Sequence, residues 1–225
     1  MHVFEHIISV LAPHRCLSCG LEGTPLCLPC TEQLPPAPKC CYKCGKAATR
    51  GLCRGCRRDS ALTSIAVRTP YAGLAEQAVH RLKFERNREM AQFLGHSLAA
   101  LCPAGVIAHV PTANRRVRQR GYDQAQLIAR ALAAQTGNPY GVLLYRQGAK
   151  RQLGQGRTVR QEQLRNAFRP APHGSAKQTP IILVDDVVTT ASTLEAAAQV
   201  LRHVGYASVH AVAFAWATRP PARPN

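Results

Sequence analysis

Four Cys-x-x-Cys pairs, Cys16/Cys19, Cys27/Cys30, Cys41/Cys44 and Cys53/Cys56, fall within the first 56 residues. No other feature limits the fold as sharply. A two-residue spacer lets two thiolates turn onto one cation, and two such knuckles complete a tetrahedral site of four sulfurs. The pairs therefore predict structural zinc, one ion or two, rather than the disulfide framework of a small secreted domain. Segments 16–30 and 41–56 form an approximate repeat. That favours one ion held by 16, 19, 27 and 30 and a second by 41, 44, 53 and 56. A cross-braced pairing satisfies the same spacing and stays open. The run QLPPAPK between the two halves can enter neither a helix nor an inner strand. Cys40 and Cys102 lie outside the pairs and read as bystanders. A module this short has almost no core, so metal supplies most of its folding free energy, on the order of 10 kcal/mol.

Composition changes near residue 60. Residues 1–60 form the cysteine-rich module, 61–219 a larger domain, and 220–225 a tail expected to be disordered. Within the larger domain strands and helices alternate. SIAVRTPY (64–71) reads as a strand, and GLAEQAVHRLKF (73–84) and EMAQFLGHSLAALC (89–102) as helices. VIAHVP (106–111) reads as a short buried strand, YDQAQLIARALAAQTG (122–137) as a helix stopped by Gly137, and GVLLYR (141–146) as the next strand. PIILVDD (180–186), TLEAAAQVLRHVG (193–205) and ASVHAVAFAWA (207–217) continue as strand, helix and strand. The stretch from Gln147 to about Arg160 is polar, basic and Gly-containing, and reads as a mobile loop. This alternation predicts an α/β fold, a mainly parallel sheet with helices on both faces. No apolar run approaches the ~20 residues of a membrane span. The stretch HVFEHIISVLAP, interrupted by Glu5 and His6, reads as a short amphipathic helix rather than a signal peptide. The expectation is a cytoplasmic protein without membrane insertion.

One segment carries the chemistry. IILVDDVVTTASTL, Ile181–Leu194, runs a buried strand into Asp185 and Asp186, then into a loop of hydroxyls. In an open parallel sheet, ligands bind beyond the carboxyl ends of the strands. Loop N–H groups and a helix beginning near Thr193 form an anion cradle, to which the hydroxyls add donors. Carboxylates repel phosphate, so they need another part of the same ligand: sugar hydroxyls, bound directly or through Mg2+. A sugar phosphate follows from the chemistry alone. The blander alternative, two aspartates capping a turn and a helix, leaves the desolvation of a paired acid at a buried strand end uncompensated.

IILVDDVVTTASTL resembles the phosphoribosyl diphosphate (PRPP) motif of type I phosphoribosyltransferases, with four apolar residues, two acidic ones and a Thr-Thr-Gly-x-Thr loop. The resemblance implies that Asp185 and Asp186 bind the ribose hydroxyls. Val188, Thr189, Thr190, Ala191, Ser192 and Thr193 would then form the 5′-phosphate loop, with Mg2+ accompanying PRPP. Ala191 departs from the family's glycine; if the position needs a positive φ, alanine costs about 1–2 kcal/mol. The cysteine module, HRLKFERNREMA (80–91), VPTANRRVRQRGYDQAQLIARAL (110–132), RQLGQGRTVRQEQLRNAF (151–168) and the acidic loop follow in one order. Together they resemble the ComF/GntX family of DNA-uptake and DNA-utilisation proteins over essentially the whole chain. Asp123 stands where family members often have Asn. By this likeness Arg115, Arg116, Arg118 and Arg120, placed just after a strand end, and Lys83 hold the pyrophosphate end or nucleic-acid phosphates. The basic loop with Lys150, Arg151, Arg157 and Arg160, followed by Arg165 and Asn166, falls where such enzymes carry a hood over the substrate.

The chain carries 29 Lys and Arg against 12 Asp and Glu, a formal charge of +17, which fits an anionic partner. The resemblance implies single-stranded DNA as that partner, with a DNA-uptake helicase or other competence proteins beside it. Three functional readings stay open at this stage. One is a PRPP-binding protein that handles DNA in the cytoplasm; another is an active phosphoribosyltransferase on a nucleobase-like acceptor, with Asp185 and Asp186 catalytic. The third and blandest makes the cysteine module a docking element and the acidic site a ligand sensor or vestige. The remaining signals are weak. Gly154 and Gly156 follow no strand, so they are no dinucleotide fingerprint. His80, His96, His109 and His203 lack metal spacing, and Trp216 and Tyr206 read as packing residues.

Overall fold

In the computed structural model, residues 15–85, 87–147, 167–172 and 177–217 are described. The N-terminal amphipathic stretch, nearly all of the basic loop, Arg151 among it, and the C-terminal tail lie outside these residues. The described elements follow as α1 (Leu28–Glu32), α2 (Arg54–Arg58), β1 (Ser64–Pro70), α3 (Leu74–Phe84), α4 (Met90–Ser97) and β2 (Val106–His109). Then come α5 (Asn114–Arg120), α6 (Gln124–Thr136), β3 (Leu144–Arg146), β4 (Phe168–Pro170), β5 (Ile181–Val188), α7 (Ser192–His203) and β6 (Val209–Trp216).

Strands β1, β6, β5 and β2 form a four-stranded sheet in that order, and every neighbouring pair is parallel. Strand parity divides its side chains between two cores. Ile181 and Leu183 face a core built with Leu194, Ala197 and Leu201 of α7. Ile182 and Val184 face one built with α3, α4 and α6, through Val79, Leu94 and Ile128. Helices cover both faces, as the alternation of elements requires. Helix α6 ends at Gly137, whose φ of 72° closes the last turn in the left-handed region. No helix among the described residues is long and apolar enough to cross a membrane.

The cysteine-rich segment is laid along the outer edge of β1. The backbone N–H of Ile65 donates to Arg50 O at 3.1 Å, and that of Ala37 donates to Arg68 O at 3.1 Å. Gly51, at φ +69°, permits this approach, because a Cβ there would stand 1.9 Å from Ile65 O. The first half of the segment joins the α3/α4 core through Cys16, Leu26, Cys27, Cys30 and Leu34. The second joins the α7 core through Cys41, Tyr42 and Leu52. The repeat thus lies on both sides of the sheet, one unit to a face.

Three expectations need correction. Residues 141–146 are not the next strand of the sheet. Tyr140 makes a single parallel bridge to Ile107 at the edge of β2, and β3 then leaves to pair antiparallel with β4. Leu144 and Phe168 are buried whereas Tyr145 is exposed, the one-sided burial of a two-stranded ribbon. Residues 114–120, left without an element between a strand and a helix, fold as helix α5, ended by Gly121 at φ 83°. Strand β5 runs on to Val188, so the two aspartates stand within it and not at its end.

Candidate functional site

Strand β2 stops short of the aspartates, and this opens the site. Its last rung, Val110 N to Val184 O at 2.9 Å, precedes Pro111, which has no N–H to continue the ladder. Beyond that point one flank of Asp185 and Asp186 has no strand beside it. Adjacent residues of a strand point to opposite faces, so the two carboxylates serve different surroundings. Asp186 is buried on the α3 side, where its Oδ2 lies 2.9 Å from Lys83 Nζ. The approach has the distance of an ion pair without the direction of a hydrogen bond. Asp185 accepts a hydrogen bond from the Asp186 N–H at 2.9 Å. Burial, with the Asp186 charge beside it, pushes the Asp185 carboxyl up to about 8, although Lys83 opposes this.

The phosphate-loop candidates follow directly. Thr189, Thr190 and Ser192 are exposed, and Thr190 Oγ1 lies 2.8 Å from Ser192 Oγ. Ala191 has φ 56° and ψ 8°, alone among the described non-glycine residues in having a positive φ. The twelve-residue α7 starts immediately after it, and no side chain caps its first turn. A strained turn into an uncapped helix N-terminus presents N–H groups to an anion.

The basic segment is tied in place by a residue that the sequence marked only as a departure from the family's asparagine. Asp123 accepts from Thr112 N at 2.7 Å and Thr112 Oγ1 at 3.0 Å on one side. On the other it caps α6, accepting from Ala125 N at 3.0 Å and Gln126 N at 3.3 Å. The carboxylate therefore fixes both ends of the segment bearing the arginines. Of these, Arg115, Arg116 and Arg118 are exposed, whereas Arg120 stacks its guanidinium over the Phe84 ring at 5.2 Å. A further cation joins them. Arg146, on β3, stacks over Phe168 at 4.7 Å and donates to Pro111 O at 3.5 Å. Burial lowers its pKa, as does Arg116 nearby, while Asp185 and Asp123 raise it. Arg146 thus stands between the acidic pair and the arginine helix. Only the acidic stretch beside it could have drawn notice to it, since its own surroundings, LLYRQ, carry no motif. Lys83, expected toward a phosphate, is engaged by Asp186. Tyr71, at the loop after β1, has its pKa raised by burial, by Glu76 and by Asp186.

The cysteines form two sets, Cys16, Cys19, Cys27 and Cys30 and then Cys41, Cys44, Cys53 and Cys56, with the four sulfurs of each within 4.8 Å of one another. Pairing is sequential and not cross-braced. A tetrahedron with Zn–S bonds of 2.3 Å separates its sulfurs by about 3.8 Å. The separations Cys16–Cys27 3.6 Å, Cys19–Cys27 3.7 Å and Cys44–Cys53 3.7 Å fit it. All of these thiols are free of disulfides. Burial raises Cys16 and Cys41, but backbone N–H donors around each outweigh it and bring both down to about 6. Hydrogen bonding to Cys44 pushes Cys56 up to about 12. Two thiolate sets of this shape can each hold one zinc ion.

A parallel sheet with an acidic pair at its rim, followed by a tight turn into a helix, defines a phosphoribosyltransferase-type domain. The family model of the phosphoribosyl transferase domain matches residues 118–224. DNA utilization protein YhgH of Salmonella typhimurium (strain LT2) is 30% identical over 220 residues, covering 88% of this chain and 94% of that protein. Competence protein ComFC of Bacillus subtilis (strain 168) is 28% identical over 183 residues, covering 75% and 73%. Among solved structures, the glutamine PRPP amidotransferase from B. subtilis in complex with ADP and GMP has a TM-score of 0.44 at 21% identity. That match covers 60% of this chain and 30% of the larger protein. The chain belongs to the ComF family of phosphoribosyltransferase-fold proteins.

Proposed function

We propose that this protein binds PRPP with Mg2+ at the rim of β5 and acts in the cytoplasm on incoming single-stranded DNA, held through its phosphates. The observation that carries the first half is the Asp185–Asp186 pair with the Ala191 turn. Burial and its neighbour push the Asp185 carboxyl up to about 8, and a divalent cation bound beside it would favour the ionised form. Two carboxylates offer the hard oxygen donors that Mg2+ takes, and Mg2+ would supply charge neutralisation for both acids and for the pyrophosphate. The chain's own groups divide the ligand among them. The carboxylates accept from ribose hydroxyls, the 189–193 turn and the first turn of α7 donate to the 5′-phosphate, and Arg116 and Arg146 face the pyrophosphate. Lys83 holds the Asp186 carboxylate in place. The names of the relatives, concerned with DNA utilisation and competence, and the charge of +17 support the second half.

The test of the PRPP half is thermal unfolding with and without PRPP and Mg2+. The ligand pair is expected to raise the melting temperature of the native protein, and the double variant Asp185→Ala, Asp186→Ala to lose the rise. A native protein whose melting is indifferent to PRPP would end this reading.

A further inference from the structure

The repeat supplies its own internal control. From Arg15 to Leu34 the first unit carries Arg15 against Glu22 and Glu32. From Lys39 to Arg58 the second carries seven cations, Lys39, Lys43, Lys46, Arg50, Arg54, Arg57 and Arg58, and no carboxylate; Asp59 follows directly. Solubility would be served by charge on either unit. Concentration of positive charge on one of two similar units marks a surface.

Its geometry is specific. In the five-residue α2, RGCRR, Cys56 turns inward to the second thiolate set. At about 3.6 residues per turn, Arg54, Arg57 and Arg58 share an arc of roughly 100° on the opposite side. Arg54 and Arg58 are about 6 Å apart along the axis. All three are exposed, as are Lys39, Lys46 and Arg50, and none of the six is in an ion pair among the described residues. Lys43 alone is engaged, with Glu195 Oε2 at 3.0 Å. Zinc held by Cys53 and Cys56 would thus fix the orientation of an arginine face that has no ion-pair partner among the described residues.

We infer that the outer face of the second cysteine unit, with Arg54, Arg57 and Arg58 at its centre, is a docking surface for the phosphate backbone of nucleic acid, separate from the arginines of α5. This rests on the DNA half of the proposed function and adds where the DNA lies. The apolar content of the surface decides against an anionic membrane. A helix that binds a lipid surface pairs cations with exposed apolar side chains. Among the described residues, the exposed large apolar side chains of the cysteine-rich segment, Leu21 and Leu28, both belong to the first unit. The second unit offers phosphate contacts only, which position a nucleic acid without reading its sequence.

The experiment compares the native full chain, the variant Arg54→Gln, Arg57→Gln, Arg58→Gln and the variant Arg118→Gln, Arg120→Gln. Each is tested against a fluorescent oligothymidylate across a salt series, with bound zinc and the PRPP-induced melting shift measured in parallel. The α2 variant is expected to keep its zinc and its PRPP shift while losing at least tenfold in affinity. The slope of log K against log salt should fall by about two, since each neutralised phosphate of a single strand contributes about 0.7. An α2 variant that binds like the native protein, while the α5 variant loses binding, overturns the inference and leaves the proposed function standing. A native chain that shifts with PRPP but binds no oligonucleotide overturns both the inference and the DNA half of that function. A native chain that binds the oligonucleotide without any PRPP shift, and loses that binding in the α2 variant, supports the surface and sinks the PRPP site. If the α2 changes weaken binding to phosphatidylserine vesicles and not to the oligonucleotide, the surface is a membrane contact and the inference is wrong.

Discussion

The two cysteine units repeat one knuckle spacing yet attach to the rest of the protein by different forces. The first is held by a shared apolar core with α3 and α4 and by Arg68, whose guanidinium donates to Leu34 O at 3.0 Å, Thr31 O at 3.2 Å and Glu32 O at 3.2 Å. These carbonyls lie at and just beyond the end of α1, so a β1 side chain caps the unit's helix. The second also has an apolar contact, including Tyr42 edge-on to Trp216 at a centroid distance of 5.2 Å. Its distinctive bond is polar. Glu195 of α7 accepts from Lys43 Nζ at 3.0 Å, Ser60 Oγ at 2.6 Å and Ala61 N at 2.6 Å. Lys43 lies inside the knuckle between Cys41 and Cys44, and Glu195 lies one helical turn after Ala191. The same motif is therefore a packing element on one face of the sheet and a brace for the Ala191 turn on the other.

Removing the metals tests this difference most severely. Exhaustive chelation is expected to lower the melting temperature by more than 10 °C, because both thiolate sets reach into the domain's cores and metal binding is folding free energy for such units. Cys41→Ser with Cys44→Ser should then reduce the PRPP-induced shift, and Cys16→Ser with Cys19→Ser should leave it; equal loss in both would erase the distinction. Next in size is the brace itself. Glu195→Ala leaves Lys43, Ser60 and Ala61 without their acceptor and should cost about 3 kcal/mol, or roughly 6–12 °C in melting temperature. Arg68→Ala on the other face removes contacts to carbonyls that water can replace, and should cost less, about 1–2 kcal/mol.

The acidic pair adds a pH test. The folded pKa of Asp185, about 8, exceeds its ordinary value of 3.8, so the folded state holds the extra proton between these values. The ligand-free protein should lose stability as pH rises from about 4 to about 8 and change little from this group above that. Asp185→Asn should remove that slope, and PRPP with Mg2+ should stabilise the native protein more at pH 8.5 than at pH 6. A calorimetric pH series checks all three. The smallest effect is expected at the turn. Ala191→Gly relieves the left-handed strain but loses a buried methyl and loosens the unfolded chain, for a net gain of about 1 kcal/mol or less.

Much of this arrangement could be read from the residues, and the failures have physical causes. The cysteine spacing is local chemistry, so sequential thiolate sets could be favoured, while the cross-braced alternative needed the structure to remove it. Continuous apolar runs such as IILV specify buried parallel strands, and Gly137 stopped α6 where expected. The strained position at 191 was also visible, because an alanine replaces a glycine in an otherwise matching turn. GVLLYR misled because an apolar run does not reveal which edge it will pair with. That was settled by Phe168, more than twenty residues away. RRVRQR drew no element because its charges hid a helix whose flanks are fixed by Asp123, and the role of Arg146 depends wholly on tertiary contacts.

The backbone contacts at 37 and 50 have a consequence for the fate of the protein in a zinc-poor cell. They close the outer edge of SIAVRTP, which would otherwise offer unpaired donors and acceptors to any extended chain. Once the thiolate units let go, that edge becomes a template for intermolecular strand addition. Zinc shortage should therefore appear as aggregation, with the protein leaving solution as its thiolate units let go.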